Sequence, residues 1–477
     1  MKNLSILPGQ VMSKVPMPVK VIAICALLLL FYIRFNINLM SIVVLWAVWK
    51  AGFFKWLRTT FGEREAKTAL LIFLSVLLLY LIVMLAFHVP PIQDIIYETD
   101  SLSWYRNLIS PFKPILMGEP ERQPLMSLFF QMPFGLLAPT ISDLTIRLYL
   151  VFISALNIAM FSLFVSRVAP GAQRFNVLLC AALAVSAPQL LYGTLMIEQF
   201  MFIQTTMIVC LLYFSFALQQ KRYKELELLA IALFCGTSPI SIIMFGIFYI
   251  SLLCVLDKPR RILPRIIKIG VMFVILYHIL AAAQSIIYPG INAYVWNMGA
   301  SVSNGPISYW TWQPDVGKYF TDVFSMPFGF DTIKISPIFA ISWMWAILLI
   351  PCIANGIRNR IMYALLGTMA FLFVFFLFYD PQEAPLFSLL HITIFFAILA
   401  WLPRYKDIFP GIEMLLVALL IVNASWVVYI SDTGRAISKI TNDGYYIGLG
   451  PWSKRDRVNE ATEPFIYDNW QKRQSIF

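Results

Sequence analysis

Long apolar runs recur along almost the whole chain, and they restrict its fold more than any other feature of the sequence. The runs are roughly 16 to 25 residues long, the length that crosses the hydrocarbon core of a bilayer as a helix. Hydrophobic residues make up 60% of the 477 residues and charged residues only 13%, a balance that no soluble domain of this size could keep in solution. We therefore predict an all-α protein, a polytopic transmembrane helical bundle.

The runs predict about 11 to 13 crossings, because two of them, 226–234 and 240–256, are short and are hinged at the sequence CGTSP. A further apolar segment, 125–138, contains a proline, and we expect it to dip into the membrane without crossing. The predicted spans are Val19–Tyr32, Leu39–Phe54, Thr68–Phe87, Leu144–Val165, Phe175–Tyr192, Phe200–Leu218, Leu226–Phe234, Ile240–Leu256, Ile266–Ile287, Ile335–Ile357, Ile361–Phe378, Leu386–Leu402 and Ile412–Ile430.

These spans divide the chain into four parts, each with its own arrangement of helices and loops. We expect an N-terminal transmembrane hairpin with a basic cytoplasmic loop at 1–66, a transmembrane module at 67–257 with an outer loop at 89–140, C-terminal transmembrane helices at 258–430 with an outer loop at 288–334, and an extracytoplasmic tail at 431–477.

Lysine and arginine fall in alternate loops, as the positive-inside rule requires of cytoplasmic loops. The pattern predicts a multi-pass protein of the inner (plasma) membrane with a cytoplasmic N-terminus. The loop 90–124, the link around Glu198, the loop 288–334 and the tail then lie on the periplasmic or extracellular side. Since the net charge of +11 is explained by these loops, we expect no nucleic-acid partner. The basic residues concerned are Lys50, Lys55, Arg58, Arg64, Lys67, Arg167, Arg174, Lys221, Arg222, Lys224, Lys258, Arg260, Arg261, Arg265, Lys268, Arg358, Arg360, Arg404 and Lys406.

Cysteine and histidine give no sign of a metal centre. All six cysteines lie inside apolar runs without CxxC or Cys/His spacing, and His88, His278 and His391 are far apart. We expect no cofactor and no metal ligands; a divalent metal is left open but is not indicated. The cysteines are Cys25, Cys180, Cys210, Cys235, Cys254 and Cys352.

The stretch 90–124 interrupts this apolar pattern with many ionisable residues just after a predicted span. A hydrophobic protein that gathers so many charges outside one span is expected to bind something polar there or to do chemistry. The ionisable residues are Asp94, Glu98, Asp100, Arg106, Lys113, Glu119, Glu121 and Arg122.

Short motifs follow one another in a fixed order over roughly residues 68–257, beginning in this stretch. The motifs are Asp100 and Tyr105 in ETDSLSWY, Gly118 in LMGEP, Arg122, Pro124 and Leu125 in RQPL, Arg147 in TIRLYL, Glu198 in MIEQF, and TSPIS at 237–241. In this layout the chain resembles the C-type superfamily of integral membrane glycosyltransferases, which use polyprenyl-phosphate-linked sugar donors. It departs from many relatives by having Gln123 where they have a proline, and by having acidic residues, Asp380 and Glu383, at the last outer link.

The resemblance implies transfer of a sugar from a polyprenyl-phosphate carrier to a cell-envelope glycan or lipid-linked acceptor on the outer face. It implies an extracytoplasmic active site in the first outer loop, built from short amphipathic helices. An inverting transfer needs a carboxylate to accept the proton of the acceptor hydroxyl, and Asp100, or alternatively Asp94, is expected to be this base. Cations would stabilise the departing lipid phosphate. The residues expected to bind substrate are Tyr105, Arg106, Arg122, Arg147, Glu198 and Glu383.

Each of these residues also has a simpler explanation. Asp100 could pair with Arg106 at the surface, and Asp94 could cap a helix. Glu198 could be a solvated turn residue, and Glu383 could belong to a proline-flanked turn. The remaining candidates, Arg122 and Arg147, could extend to lipid headgroups.

Two other functions compete with glycosyl transfer. A lipid-linked oligosaccharide flippase or other transporter would place ionisable residues within its spans, which this chain largely avoids. An O-antigen-type polymerase or ligase would share the membrane face and the type of donor. It would typically carry arginine and histidine in a late outer loop, but the loop 288–334 contains neither.

Overall fold

In this computed structural model, the described residues are 60–86, 108, 124–131, 133–134, 143–195, 197–287, 314, 316–325, 336–378 and 387–402. Every regular element in these ranges is a helix, which confirms the all-α prediction for this part of the chain. The elements are α1 (Glu63–Ala86), α2 (Pro124–Met126), the π-helical segment π1 (Ser127–Gln131), α3 (Asp143–Val168), α4 (Gln173–Ala184), α5 (Ala187–Leu190), the π-helical segment π2 (Leu191–Leu195), α6 (Phe200–Gln220), α7 (Glu225–Cys235), α8 (Pro239–Leu256), α9 (Pro259–Ile287), α10 (Val316–Ser325), α11 (Ser336–Gly356), α12 (Arg360–Phe378) and α13 (Ser388–Leu399).

Six helices in the described ranges are long and apolar enough to cross a membrane, namely α1, α3, α6, α8, α9 and α12. The consecutive helices α4 and α5 make a seventh candidate if the bent pair counts as one span. This confirms a multi-pass membrane protein in outline. The predicted spans 19–32, 39–54 and 412–430 lie outside the described residues, so the total of 11 to 13 stays a prediction.

Helix α3 lies at the centre of the bundle, where it packs on α1, α4 and α6. Helix α6 packs in turn on α8, which contacts α12, and α12 contacts α13. The outward faces of α1 and α9 expose large apolar side chains, as expected for surfaces in contact with lipid rather than water. These side chains include Leu70, Leu71, Leu74, Leu78, Ile82 and Leu85 on α1, and Leu263, Ile267, Val271, Ile275 and Ile279 on α9.

The predicted span 175–192 corresponds to α4 and α5 and is broken, because the chain bends by 66° between these two helices. The proline at position 188 causes the break, since it has no N–H to donate to the carbonyl of Ala184 one helical turn earlier. The hydroxyl of Tyr80 on α1 donates to that carbonyl instead, at 2.8 Å. A neighbouring helix therefore satisfies the backbone group that the break releases.

Basic side chains from several short loops meet at one end of the bundle, which we call the basic end. There the guanidinium of Arg167 lies 4.0 Å from the ring centre of Phe216, Arg265 pairs with Asp257 at 2.8 Å, and Lys268 pairs with Glu225 at 2.6 Å. The positive-inside rule predicts that this end faces the cytoplasm. The opposite end, where α3, α6, α8 and α13 begin, is the predicted outer end.

Candidate functional site

The structure describes two of the predicted site residues, Arg147 and Glu198, and both belong to the predicted outer end of the bundle. The other six, Asp94, Asp100, Tyr105, Arg106, Arg122 and Glu383, lie outside the described residues and stay predictions. Within the loop 90–124 the structure describes Leu108, which is fully buried in the apolar core.

Arg147 lies in the second turn of α3 and is only 3% exposed. A guanidinium enclosed by protein to this extent does not fit the alternative in which it extends to lipid headgroups. A buried cation of this kind has to be compensated by neighbouring polar groups, and it is therefore a candidate for binding an anion.

Glu198 lies two residues before the first residue of α6 and is only 2% exposed. Its carboxylate accepts the backbone N–H of Gln199 at 3.2 Å, next to the start of the helix, where the helix dipole favours negative charge. The alternative in which this residue occupies a solvated turn therefore does not fit. Capping of α6 and membership of a site remain two explanations for the buried carboxylate.

Helices α3 and α6 run in the same direction, but their starts are not level. The side-chain amide of Asn157, in the middle of α3, donates to the carbonyl of Met201, the second residue of α6, at 3.0 Å. At 1.5 Å per residue, the first part of α3, residues 143–153, therefore extends about 16 Å beyond the start of α6. We call residues 143–153 the α3 overhang. It carries Arg147, while Glu198 comes two residues before the start of α6.

The segment 124–134, which follows the carboxylate-rich loop, packs against this overhang and the start of α6. The Phe130 ring lies 4.7 Å from the Phe202 ring and 5.6 Å from the Phe234 ring, measured between centres. The hydroxyl of Tyr149 donates to the carbonyl of Phe130 at 2.9 Å. The segment that follows the loop 90–124 therefore packs on the part of α3 that carries Arg147, two residues before Tyr149.

Both π-helical segments belong to this region. Segment π1 is the part of 124–134 that carries Phe130, and π2 leads into the link that holds Glu198. Segments of this type make up well under 1% of residues in proteins and occur frequently at functional sites. Their position therefore agrees with a functional role for the α3 overhang and the link after π2.

Three buried side-chain amides lie near the link that carries Glu198, and none of them was among the predicted site residues. The side chains of Gln189, Gln204 and Asn157 are joined by hydrogen bonds of 2.7 and 2.9 Å, and all three are fully buried. The prediction concentrated on ionisable groups, whereas these residues are neutral. An amide residue in the middle of an apolar run could have indicated this network, because such a side chain needs a hydrogen-bond partner inside the bundle.

The second predicted outer loop, 288–334, also contacts this region through α10. Burial raises the pKa of the Tyr319 hydroxyl, so that it keeps its proton and donates to Nε2 of His391 at 3.2 Å. The other ring nitrogen, Nδ1, donates to the carbonyl of Phe387 at 3.1 Å. The ring of Phe387 lies 5.7 Å from that of Phe200, which is two residues after Glu198.

Within the described ranges, no group of three or more His, Cys, Asp or Glu side chains is close enough to hold a metal ion. The described cysteines, which are Cys180, Cys210, Cys235, Cys254 and Cys352, are free thiols. What this end of the bundle offers to a ligand is a buried cation, a buried carboxylate and aromatic rings at the end of a carboxylate-rich loop.

Comparisons of the chain with protein-family models, with curated proteins and with solved structures found no match.

Proposed function

We propose that the chain is a membrane glycosyltransferase that moves a sugar from a polyprenyl-phosphate carrier to a cell-envelope glycan or lipid-linked acceptor on the outer face. One observation carries the proposal. The carboxylate-rich loop 90–124 leads into a segment packed on the α3 overhang and the start of α6, and each of these two places carries a buried charged residue, Arg147 in the overhang and Glu198 just before α6. Buried charges are costly inside a membrane bundle, and their presence supports a site for a polar ligand.

The proposed reaction exchanges one bond of the anomeric carbon for another. The acceptor hydroxyl oxygen bonds to this carbon while the bond from the carbon to the carrier phosphate breaks, and the phosphate keeps the electron pair. Asp100, or alternatively Asp94, accepts the proton of the hydroxyl. The departing polyprenyl phosphate gains a negative charge, which a buried guanidinium such as that of Arg147 stabilises more strongly than an exposed one.

The other predicted site residues complete the substrate contacts in this proposal. Arg106 and Arg122 bind the phosphate with Arg147, and Tyr105 stacks on a sugar face. Glu198 and Glu383 accept hydrogen bonds from sugar hydroxyls. The exposed apolar faces of the helices are the surfaces along which a prenyl chain would lie.

A lipid-linked oligosaccharide transporter is the second candidate, and two features of the bundle favour it. The α4–α5 span is broken, and a neutral polar network lies next to the break. Transporters place their substrate sites at discontinuous helices of this kind. Transfer remains the first candidate because ionisable residues gather in the loop 90–124, on the same predicted outer side as Arg147 and Glu198, whereas a transporter is expected to place them within its spans.

Reconstitution into proteoliposomes separates the two functions. We would supply undecaprenyl phosphate linked to a labelled hexose or pentose, together with membrane glycolipid acceptors, and analyse the lipids by mass spectrometry. A transferase converts the donor into free undecaprenyl phosphate and a heavier acceptor. Movement of intact donor between leaflets without any new glycoside would support the transporter and contradict the proposal.

A further inference from the structure

Two glutamines close the base of the loop that carries Glu198. Gln189 lies on α5, before this loop, and Gln204 lies in the second turn of α6, after it. Although they are 15 residues apart, the side-chain amide of Gln204 donates to Oε1 of Gln189 at 2.7 Å. We call this contact the glutamine clamp. The chain between its two residues, 190–203, includes π2 and Glu198.

Helix α3 forms hydrogen bonds with both residues of the glutamine clamp. The Gln189 amide donates to Oγ of Ser154 at 2.9 Å, and the Asn157 amide donates to Oε1 of Gln204 at 2.9 Å. Ser154 and Asn157 are three residues apart, so they are neighbours on the helix surface. Both ends of the loop are therefore tied to one short stretch of α3.

The same side of α3 carries Arg147. Seven residues separate Arg147 from Ser154, which is nearly two full turns, so the two side chains share a face and are about 10 Å apart along the axis. A rigid helix thus connects the clamp to Arg147. The clamp, in turn, connects that helix to the loop with Glu198.

The hydrogen bonds of the clamp have a single consistent direction. Asn157 donates to Gln204, Gln204 donates to Gln189, and Gln189 donates to Ser154. The second amide hydrogen of Gln204 is donated to Oγ1 of Thr393 on α13, at 3.1 Å. All five side chains are fully buried, so breaking one bond leaves a polar atom without water to replace the lost partner.

We propose that Gln189 and Gln204, with Asn157, are positioning residues that hold the Glu198 loop in a fixed place relative to Arg147. This inference rests on the proposed function, because the positions of these two charged groups matter only if a substrate is bound between them. The clamp residues do not touch the substrate. They act through the backbone of residues 190–203.

Two variants of nearly the same size test the clamp, Gln189→Met and Gln204→Met. We expect hydrogen–deuterium exchange of peptides covering 190–203 to rise by roughly tenfold or more in both, while the second half of α6 keeps its protection. The matched control is Thr205→Val, which removes a buried hydroxyl from α6 that bonds only to the helix's own Met201 carbonyl. Exchange in 190–203 should not change in this control.

Sugar transfer supplies the second readout. In the Met variants we expect kcat to fall roughly tenfold or more while KM changes less than threefold, because misplaced groups lose transition-state contacts rather than substrate binding. The variant Gln189→Glu should recover much of the loss, since a buried neutral carboxyl can still accept from Gln204 and donate to Ser154. Ser154→Ala, which removes one bond, provides a milder variant if the Met variants do not fold.

Two results would overturn the proposal. One is unchanged exchange of 190–203 in the Met variants, or an equal rise in Thr205→Val, because the clamp would then not hold the loop. The other is faster exchange with unaltered kcat, because the loop position would then not matter for transfer. If the wild-type protein transfers no sugar, the proposed function fails, while the exchange experiment still decides whether the clamp holds the loop.

Discussion

Buried polar side chains in this bundle need partners within the protein, because lipid supplies none. Tyr80 is an example, because its hydroxyl pairs with one particular backbone carbonyl. Its hydroxyl contacts Ala184, whose carbonyl has lost its usual helical donor to Pro188. The hydroxyl therefore supplies the hydrogen bond that this carbonyl lacks. Replacing the hydroxyl by hydrogen lowers the stability of the protein, although the side chain hardly changes in size.

We expect Tyr80→Phe to lower the free energy of unfolding by about 1–3 kcal/mol, the usual cost of leaving a buried carbonyl without a partner. Thermal unfolding in detergent measures this. Tyr363→Phe is the matched control, since Tyr363 is 47% exposed and its change should have little effect. Equal melting temperatures for the two variants would contradict the role given to Tyr80.

Gly193 allows π2 to approach α3 closely. A Cβ atom at this position would overlap Oγ of Ser154, which is already held by Gln189. We expect Gly193→Ala to destabilise the protein by about 1–3 kcal/mol, the typical cost of inserting an atom into a packed core. Gly246 on α8 has open space around it, so Gly246→Ala should change stability by no more than about 1 kcal/mol. A similar loss of thermal stability in both variants would show that the close approach is not required.

At the residue scale, sequence reasoning singled out Arg147 and Glu198, which the structure buries, and missed the buried neutral residues near them. Arg147 and Glu198 stand out because a charge inside or beside an apolar run is costly. Gln189 and Gln204 do not, because an amide can be buried cheaply once it finds a partner, and the partner is far away in sequence. No local pattern could pair Gln204 with Gln189 or with Thr393.

Among the helices, α10 connects the second outer loop to the rest of the bundle. Its buried side chains Tyr319 and Val323 lie against the apolar core, and the hydroxyl of Tyr319 forms a hydrogen bond with His391. Rings from α12 and α13, including Phe373 and Phe395, surround His391. If the Tyr319 hydroxyl is removed, these apolar rings offer Nε2 of His391 no replacement hydrogen bond.

We expect Tyr319→Phe to weaken the attachment of α10 by about 1 kcal/mol, the net value of one buried hydrogen bond. Hydrogen exchange of the peptide covering 316–325 should become about fivefold faster, since 1.4 kcal/mol corresponds to a factor of ten. Exchange in α3 should stay the same. If exchange of 316–325 does not change, aromatic packing alone holds α10 in place.

The sequence predicted the positions of helices along the chain more reliably than the bends between them. The run 200–218 corresponds to α6, and the run 361–378 corresponds to α12, with ends that differ by two residues or fewer. Apolar composition reports the environment of a segment but not a change in its direction, so the 66° bend after α4 was not predicted. Pro188 was visible in the sequence, but it lies close enough to the end of the run to fit a straight span as well.

For the molecule as a whole, the basic end and the candidate site lie at opposite ends of the bundle. This separation agrees with a protein anchored by cytoplasmic arginines and lysines that works on lipid-linked substrates at the other face. The broken span and the glutamine clamp sit between the two ends. Both lie next to the segment 190–203, which carries Glu198.

The most direct test of glycosyl transfer is the rate of undecaprenyl phosphate release by the purified, reconstituted protein with a labelled undecaprenyl-phosphate sugar and an acceptor. We expect Asp100→Asn to lower kcat by roughly 10²–10⁴-fold, the range that a general base contributes, while Glu121→Gln in the same loop leaves it within about twofold. If Asp94 is the base, Asp94→Asn shows the large loss instead. Full activity in both Asn variants, or no release by the wild-type protein with any hexose or pentose donor, would contradict the proposed function.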